Sequence, residues 1–275
     1  MNPSDASSAK PELLRLICGF ICVHACMAGV RLTSPLLALQ LGYSAAAVGV
    51  MLALFALTQV FLSLPAGRYV DRHGLKKPVR MAVVAASVGT VLAFCYNFLP
   101  IFATLCLASL LTGGAAGMAA ISLQRHVGRM AKTPTELKKV FSWLALGPAI
   151  SNFLGPFVAG LVIDHFGFQS AYGTLAVLPL LGWLCIRGTT DLPPLDAANK
   201  AGAGLKPKAW DLLAEPMFRR LLMVNWFLSS SWDVHTFVIP ILGHDRGLSA
   251  SVIGTILGAF AIAAAVVRVL LPLLA

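Results

Sequence analysis

Arg31, Asp233 and His235 are the residues whose types and settings best suit chemistry, because each lies inside a long apolar stretch. An arginine near the centre of a bilayer costs about 2.5–3.5 kcal/mol on insertion scales. It therefore needs an acid, a wet cavity, or a path along which its long side chain can snorkel to the headgroups. Asp233 can accept a proton, and His235 titrates near neutrality. Together with Arg31 they make a candidate substrate-binding or proton-coupling set; a purely structural Arg31–Asp233 pair is the competing reading. Groupings that would signal an enzyme are lacking. There is no His-Glu-x-x-His zinc site, no glycine-rich phosphate loop with lysine and no Gly-x-Ser-x-Gly elbow. Acids are too few and scattered for a paired-carboxylate site. No enzymatic activity and no cofactor are expected. Cys18, Cys22 and Cys26 stand four apart on one helix face. Three thiols suit a soft metal, but cysteines in apolar segments more often pack as small hydrophobes, and no metal is expected.

The elements that must carry these residues are helices in lipid. The 275-residue chain is 58% hydrophobic and 12% charged, with a mean hydropathy of +0.82. Soluble domains have about 45–50% apolar and about 25% charged residues. Eight apolar runs lie at about 13–40, 45–67, 79–97, 100–123, 140–163, 169–187, 220–243 and 249–273. A span needs about 20 residues, and hydrocarbon forces each backbone to satisfy itself as an α-helix. Ten-residue alternation typical of an outer-membrane barrel is absent. The fold class is all-α, polytopic membrane protein. The first run is too long for a signal-peptide core and is kept as a span.

Lysine and arginine placement orients the bundle. With the N-terminus inside, 18 of the 21 basic residues fall in inner segments, Arg246 alone falls outside, and Arg31 and Arg268 lie within spans. The net charge of +10 is thus a topology signal. Basic residues dispersed over four loops, without a stacking platform, exclude nucleic acid as a partner.

A shift of 205 residues aligns the chain with itself. Pro35, Gly42, Ser44, Ala45, Gly49, Leu52, Phe55 and Ala56 meet Pro240, Gly247, Ser249, Ala250, Gly254, Leu257, Phe260 and Ala261. Spans one and two recur as spans seven and eight, in parallel. The same shift puts Asp233 and His235 at the levels of Ala28 and Val30, near Arg31. Three regions follow: a six-helix bundle over 1–187, a linker over 188–218 rich in proline and glycine, and a partial second bundle over 219–275. A complete second copy would take the chain to about 395 residues. The expectation is a chain truncated after the eighth helix, with room for a separate chain supplying helices nine to twelve.

Between the second and third runs lies Gly67-Arg68-Tyr69-Val70-Asp71-Arg72-His73-Gly74-Leu75-Lys76-Lys77. This loop resembles the first signature of the major facilitator superfamily of secondary transporters, Gly-x-x-x-Asp-Arg-x-Gly-basic-basic, at Gly67, Asp71, Arg72, Gly74, Lys76 and Lys77. Leu75 departs from it where the family often has a base. Gly67 is expected to let the helix end pack closely and Gly74 to take a positive φ. Asp71 is expected to pair with Arg72 or with a base ending span four, such as Arg125 or Arg129. The resemblance implies that this cluster latches the two halves; a plain orienting loop is the alternative. Span five carries Gly147, Pro148, Ser151, Gly155, Pro156 and Gly160, similar to the family's antiporter signature, with Ser151 and Ala159 where it has glycines. Small residues every four positions let a neighbouring helix approach closely. In span four, Ser109, Leu110, Leu111 and Thr112 stand where proton-linked antiporters often carry an arginine.

The resemblance implies a helical bundle made of a six-helix half plus the first two helices of a second half. It also implies that spans one and seven line a central cavity. The expected function is secondary transport of a small organic solute by alternating access, as proton-coupled efflux from a bacterial inner membrane with a cytoplasmic N-terminus. The partners would then be the lipid bilayer, a small-molecule substrate and protons. A sugar or organic-acid facilitator or importer, and a non-transporting membrane subunit, are the alternatives.

Overall fold

The computed structural model describes residues 3–99, 101–131, 133–192 and 213–274, and does not describe the side chains of 3–10, 268, 269 and 271–274. The helices are α1 (Pro3–Gln40), α2 (Ala45–His73), α3 (Lys76–Phe94), α4 (Ile101–Met130), α5 (Pro134–Ile186), α6 (Pro216–Asp245) and α7 (Ala250–Leu274). No strand occurs among the described residues. Helix α5 contains two of the eight expected spans, broken where Gly167 takes φ 81° and ψ 173°. Helices α6 and α7 are the seventh and eighth. The Arg268 side chain and most of the 188–218 linker lie outside what is described.

Six of these helices are long and apolar enough to cross a membrane. Helix α6 is not among them, although it is 30 residues long. Its polar row of Asn225, Ser229, Ser230, Ser231, Asp233 and His235 dilutes the apolar residues around it. A span that faces a polar path rather than lipid has this composition.

The expected loop 67–77 is mostly helix. Helix α2 runs on to His73 and α3 begins at Lys76, so only Gly74 and Leu75 form the turn. Nothing between Gly67 and His73 breaks a helix, and charge alone does not do so. Gly74 does, at φ 73° and ψ −149°, a conformation open to glycine and costly for other residues.

The repeat reappears as matching hydrogen bonds. At the first turn, Leu41 N donates to Leu37 O, Gly42 N to Leu39 O and Tyr43 N to Ala38 O. At the second, Arg246 N donates to Leu242 O, Gly247 N to His244 O and Leu248 N to Gly243 O. Gly42 and Gly247 both have positive φ, 82° and 68°. Each following helix is capped by the serine side chain, Ser44 accepting from Ala47 N and Ser249 from Val252 N. The two turns place α1–α2 and α6–α7 as copies of one hairpin.

Packing of the first five helices centres on α1 against α5. Gly147 faces the ring of Phe20, and a methyl group at Gly155 would come within 2.5 Å of the Ala25 carbonyl oxygen. Between them, the Ser151 hydroxyl donates to the Ile21 and Gly147 carbonyls. Further along α5, the buried Tyr172 hydroxyl meets Ser34 at 2.9 Å. Helix α2 lies as closely on α4, where Gly113 faces the backbone of Phe55. Gly67, by contrast, has open space where a side chain would go. This corrects the expectation of close packing at that glycine among the described residues; Ala66 and Val70 beside it are the residues this helix end buries.

Gly155→Ala is therefore expected to destabilise the bundle by about 1–3 kcal/mol, because α1 must retreat. Gly67→Ala should be neutral or slightly stabilising. Thermal unfolding of the two variants in detergent checks the contrast.

Candidate functional site

Helices α1 and α6 bring together two charges that lie 202 residues apart. Arg31 Nη2 donates to Asp233 Oδ1 at 2.6 Å. The arginine side chain is mostly buried, 19% exposed, while the aspartate is 55% exposed. Arg31 Nε is buried and has no protein partner among the described residues. Around the pair Ala28, Asn152, Pro156, Trp232, Thr236 and Phe260 line a cavity of about 20 Å³, room for about one water molecule. No organic solute fits a space of that size.

His235 is turned differently. Its ring stacks on Phe260 at 3.9 Å between centroids, and its Nε2 is buried without a partner. Asp233 and His235 are two residues apart, about 200° around a helix, so they cannot present to one spot. The structure thus joins Arg31 to Asp233 and places His235 on the aromatic wall behind. A residue that sequence reasoning passed over is His24. It stands seven residues, two helical turns, before Arg31 on the same face of α1. Its ring is tilted against Phe20 at 5.3 Å, and its Nδ1 is buried and unpartnered. The i, i+7 spacing was the available signal.

A second cluster occupies the end of the bundle that carries the α2–α3 turn, here the basic end. Arg125 Nε donates to Asp71 Oδ1 at 2.7 Å, and Arg125 Nη2 donates to the Asp71 carbonyl at 3.2 Å. Of the partners expected for Asp71, Arg125 at the end of span four is in contact with it. Asp191, just after α5, reaches back to the turn: its Oδ1 accepts from Leu75 N at 2.7 Å and its Oδ2 from Lys76 N at 3.2 Å. A carboxylate there suits the positive end of α3. Gly74 is needed for a second reason, since a methyl group on it would fall 2.5 Å from Asp191 Oδ1. Glu12 in turn binds the backbone and hydroxyl of Thr190. Arg72 and Lys77 point to the exterior. No signal in the sequence singled out Asp191 or Glu12, because their partners are backbone groups distant in sequence.

The span-five residues divide between two neighbours. Gly147, Ser151 and Gly155 serve α1, whereas Gly160 and the Pro156 carbonyl lie against α7. Near the basic end a larger cavity of about 140 Å³ opens between α1, α4 and α5, walled by Phe20, Leu123, Phe141 and Leu144 with Gln124 as its polar member. The bundle is tight around Arg31–Asp233 and looser towards the basic end. Chemically, Arg31 parted from Asp233 can offer its guanidinium to an acceptor on a solute.

A family model described as Major Facilitator Superfamily matches residues 16–275. The chain is also similar to Multidrug resistance protein 1 of Bacillus subtilis (strain 168), 26% identical over 246 residues, 86% of this chain and 60% of that protein. It thus spans about three fifths of the length of that relative.

The turn yields a check of its own. Gly74→Ala should lower stability by about 1–3 kcal/mol, from the strained φ and the collision with Asp191. Combining it with Asp191→Ala should recover part of that loss, as read by thermal unfolding in detergent.

Proposed function

Since the chain belongs to the Major Facilitator Superfamily, a multi-pass membrane transporter, we propose that it takes part in proton-coupled efflux of a small organic solute by alternating access. The observation that carries this reading is the Arg31–Asp233 pair, which bridges the two repeat-related hairpins through a lining of Trp232, Phe260 and Asn152. Residues 1–187 act as one rocking unit, 188–218 as a cytoplasmic linker, and 219–275 as the start of the second unit. The basic end and the N-terminus face the cytoplasm, and the host bilayer is a bacterial inner membrane. The name of the Bacillus relative, a multidrug resistance protein, supports a drug-like substrate.

In this mechanism, protonation of Asp233 removes its negative charge and weakens its hold on Arg31. The hairpins then part, and the aromatic walls admit a solute whose acceptor takes the freed guanidinium. Deprotonation restores the pair and expels the solute. Asp71–Arg125 holds α2 to α4 while the units rock, and Gly147, Pro148, Ser151, Gly155, Pro156 and Gly160 give α5 its close, kinked contacts.

Transport of a fluorescent aromatic solute that carries a hydrogen-bond acceptor into inverted vesicles, with and without an imposed pH gradient, tests the proposal. Asp233→Asn should reduce gradient-driven uptake at least about tenfold while leaving the protein folded. Uptake at the normal rate and with unchanged pH dependence in that variant would sink the coupling role. Uptake by the unaltered chain that ignores the gradient would favour the facilitator reading, which the missing arginine in span four supports.

A further inference from the structure

Asp164 ends the first segment of α5, at the bundle end opposite the basic one. Its Oδ1 accepts from Ala250 N at 2.9 Å and its Oδ2 from Ser251 N at 2.8 Å. These are the first two amides of α7, so a carboxylate from the six-helix unit sits on the positive end of a helix from the second unit. Both oxygens are used, and hydrogen bonds to a charged acceptor are stronger than neutral ones.

The repeat shows that α7 does not need this carboxylate in order to start. Helix α2 begins with the same turn, the same positive-φ glycine and the same serine cap, and its first residues Ala45 and Ala46 are exposed. Ser249 caps α7 as Ser44 caps α2. Asp164 therefore adds to α7 something that helix formation does not call for. What it adds is a tie between the units.

The surrounding seam brings backbones into contact. A methyl group at Gly160 would fall 2.5 Å from the Ala250 carbonyl oxygen, and the Pro156 carbonyl lies directly on Gly254. Gly258 meets the ring of Phe153. Small residues at 250, 254 and 258 thus form one stripe on α7 that fits the antiparallel first segment of α5 only while the two stay close. Arg31–Asp233 is a second charged tie between the units in this same half of the bundle.

We propose that Asp164 is the latch of the face opposite the basic end: its two-amide grip on α7 closes that face and must be released each time the face opens. This rests on the two-unit, alternating-access reading above. Asp164 is exposed, so water can take over its oxygens as the helices part, which suits a contact made and broken in each cycle.

Spin labels at Phe166→Cys and Leu248→Cys, in a chain whose six native cysteines are replaced by serine or alanine, report the width of that face in lipid nanodiscs. The unaltered latch should give mainly one short distance. Asp164→Asn should enlarge the long-distance population roughly tenfold, the change expected on losing a charged hydrogen bond. Ala250→Pro deletes one donating amide at a helix position that tolerates proline, and should shift the population in the same direction by less. Unchanged distance distributions in both variants overturn the latch. If Asp164→Asn fails to yield folded protein, Ala250→Pro decides alone, an unchanged distribution overturning the proposal. The readout does not depend on transport, so a widened face in a chain without gradient-driven uptake would remove the function proposed above and keep the latch.

Discussion

Everything in this molecule leans on the closeness with which α5 touches two neighbours at once. Where Gly147, Ser151 and Gly155 face α1, and where Gly160 and the Pro156 carbonyl face α7, backbone meets backbone with little side chain between. In lipid no hydrophobic effect draws helices together, so this kind of close packing, with a few hydrogen bonds, has to do the work. By holding α1 on one side and α7 on the other, α5 sets the distance between the repeated hairpins. Arg31 can then reach Asp233, and Asp164 can reach the start of α7.

Polar groups follow from that frame. Carboxylates in this chain bind chiefly at places that are either positive or poor in partners. Asp191 sits on the first amides of α3, Asp164 on those of α7, Asp71 on Arg125 and Asp233 on Arg31. Two of the four are thus helix starts, where free N–H groups and the helix dipole favour an anion. The two ends of the bundle are built differently. At the basic end, Asp71, Asp191 and Glu12 tie parts of the six-helix unit to one another. Towards the opposite end, Asp164 and Asp233 tie that unit to the second hairpin.

The membership of the chain in the Major Facilitator Superfamily agrees with its helical architecture and its parallel repeat. How legible the details were varied with their range. The repeat was visible because Gly42 and Gly247, or Ser44 and Ser249, have local jobs that admit few residue types. The pairing of Asp71 was narrowed to Arg72 or a base ending span four because charge and topology left few partners, and the fold chose Arg125. The extent of α2 was not, since Arg68 to His73 are as compatible with helix as with loop, and only Gly74 forces the turn. Nor was the turning of His235 towards Phe260, which depends on how α6 and α7 are rotated.

By itself the sequence determined that this chain is a bundle of lipid-crossing helices, duplicated in parallel, with a few ionisable groups that have to find partners. Composition, apolar run length and glycine conformation are local properties, and the bilayer leaves a helix as the only answer to them. Tertiary structure decided which face of α5 meets α1 and which meets α7, that Arg31 pairs with Asp233, and that Asp164 and Asp191 cap helices far away in the chain. Such contacts join a side chain to backbone or to a distant helix, and a backbone amide carries no residue type that a sequence could display.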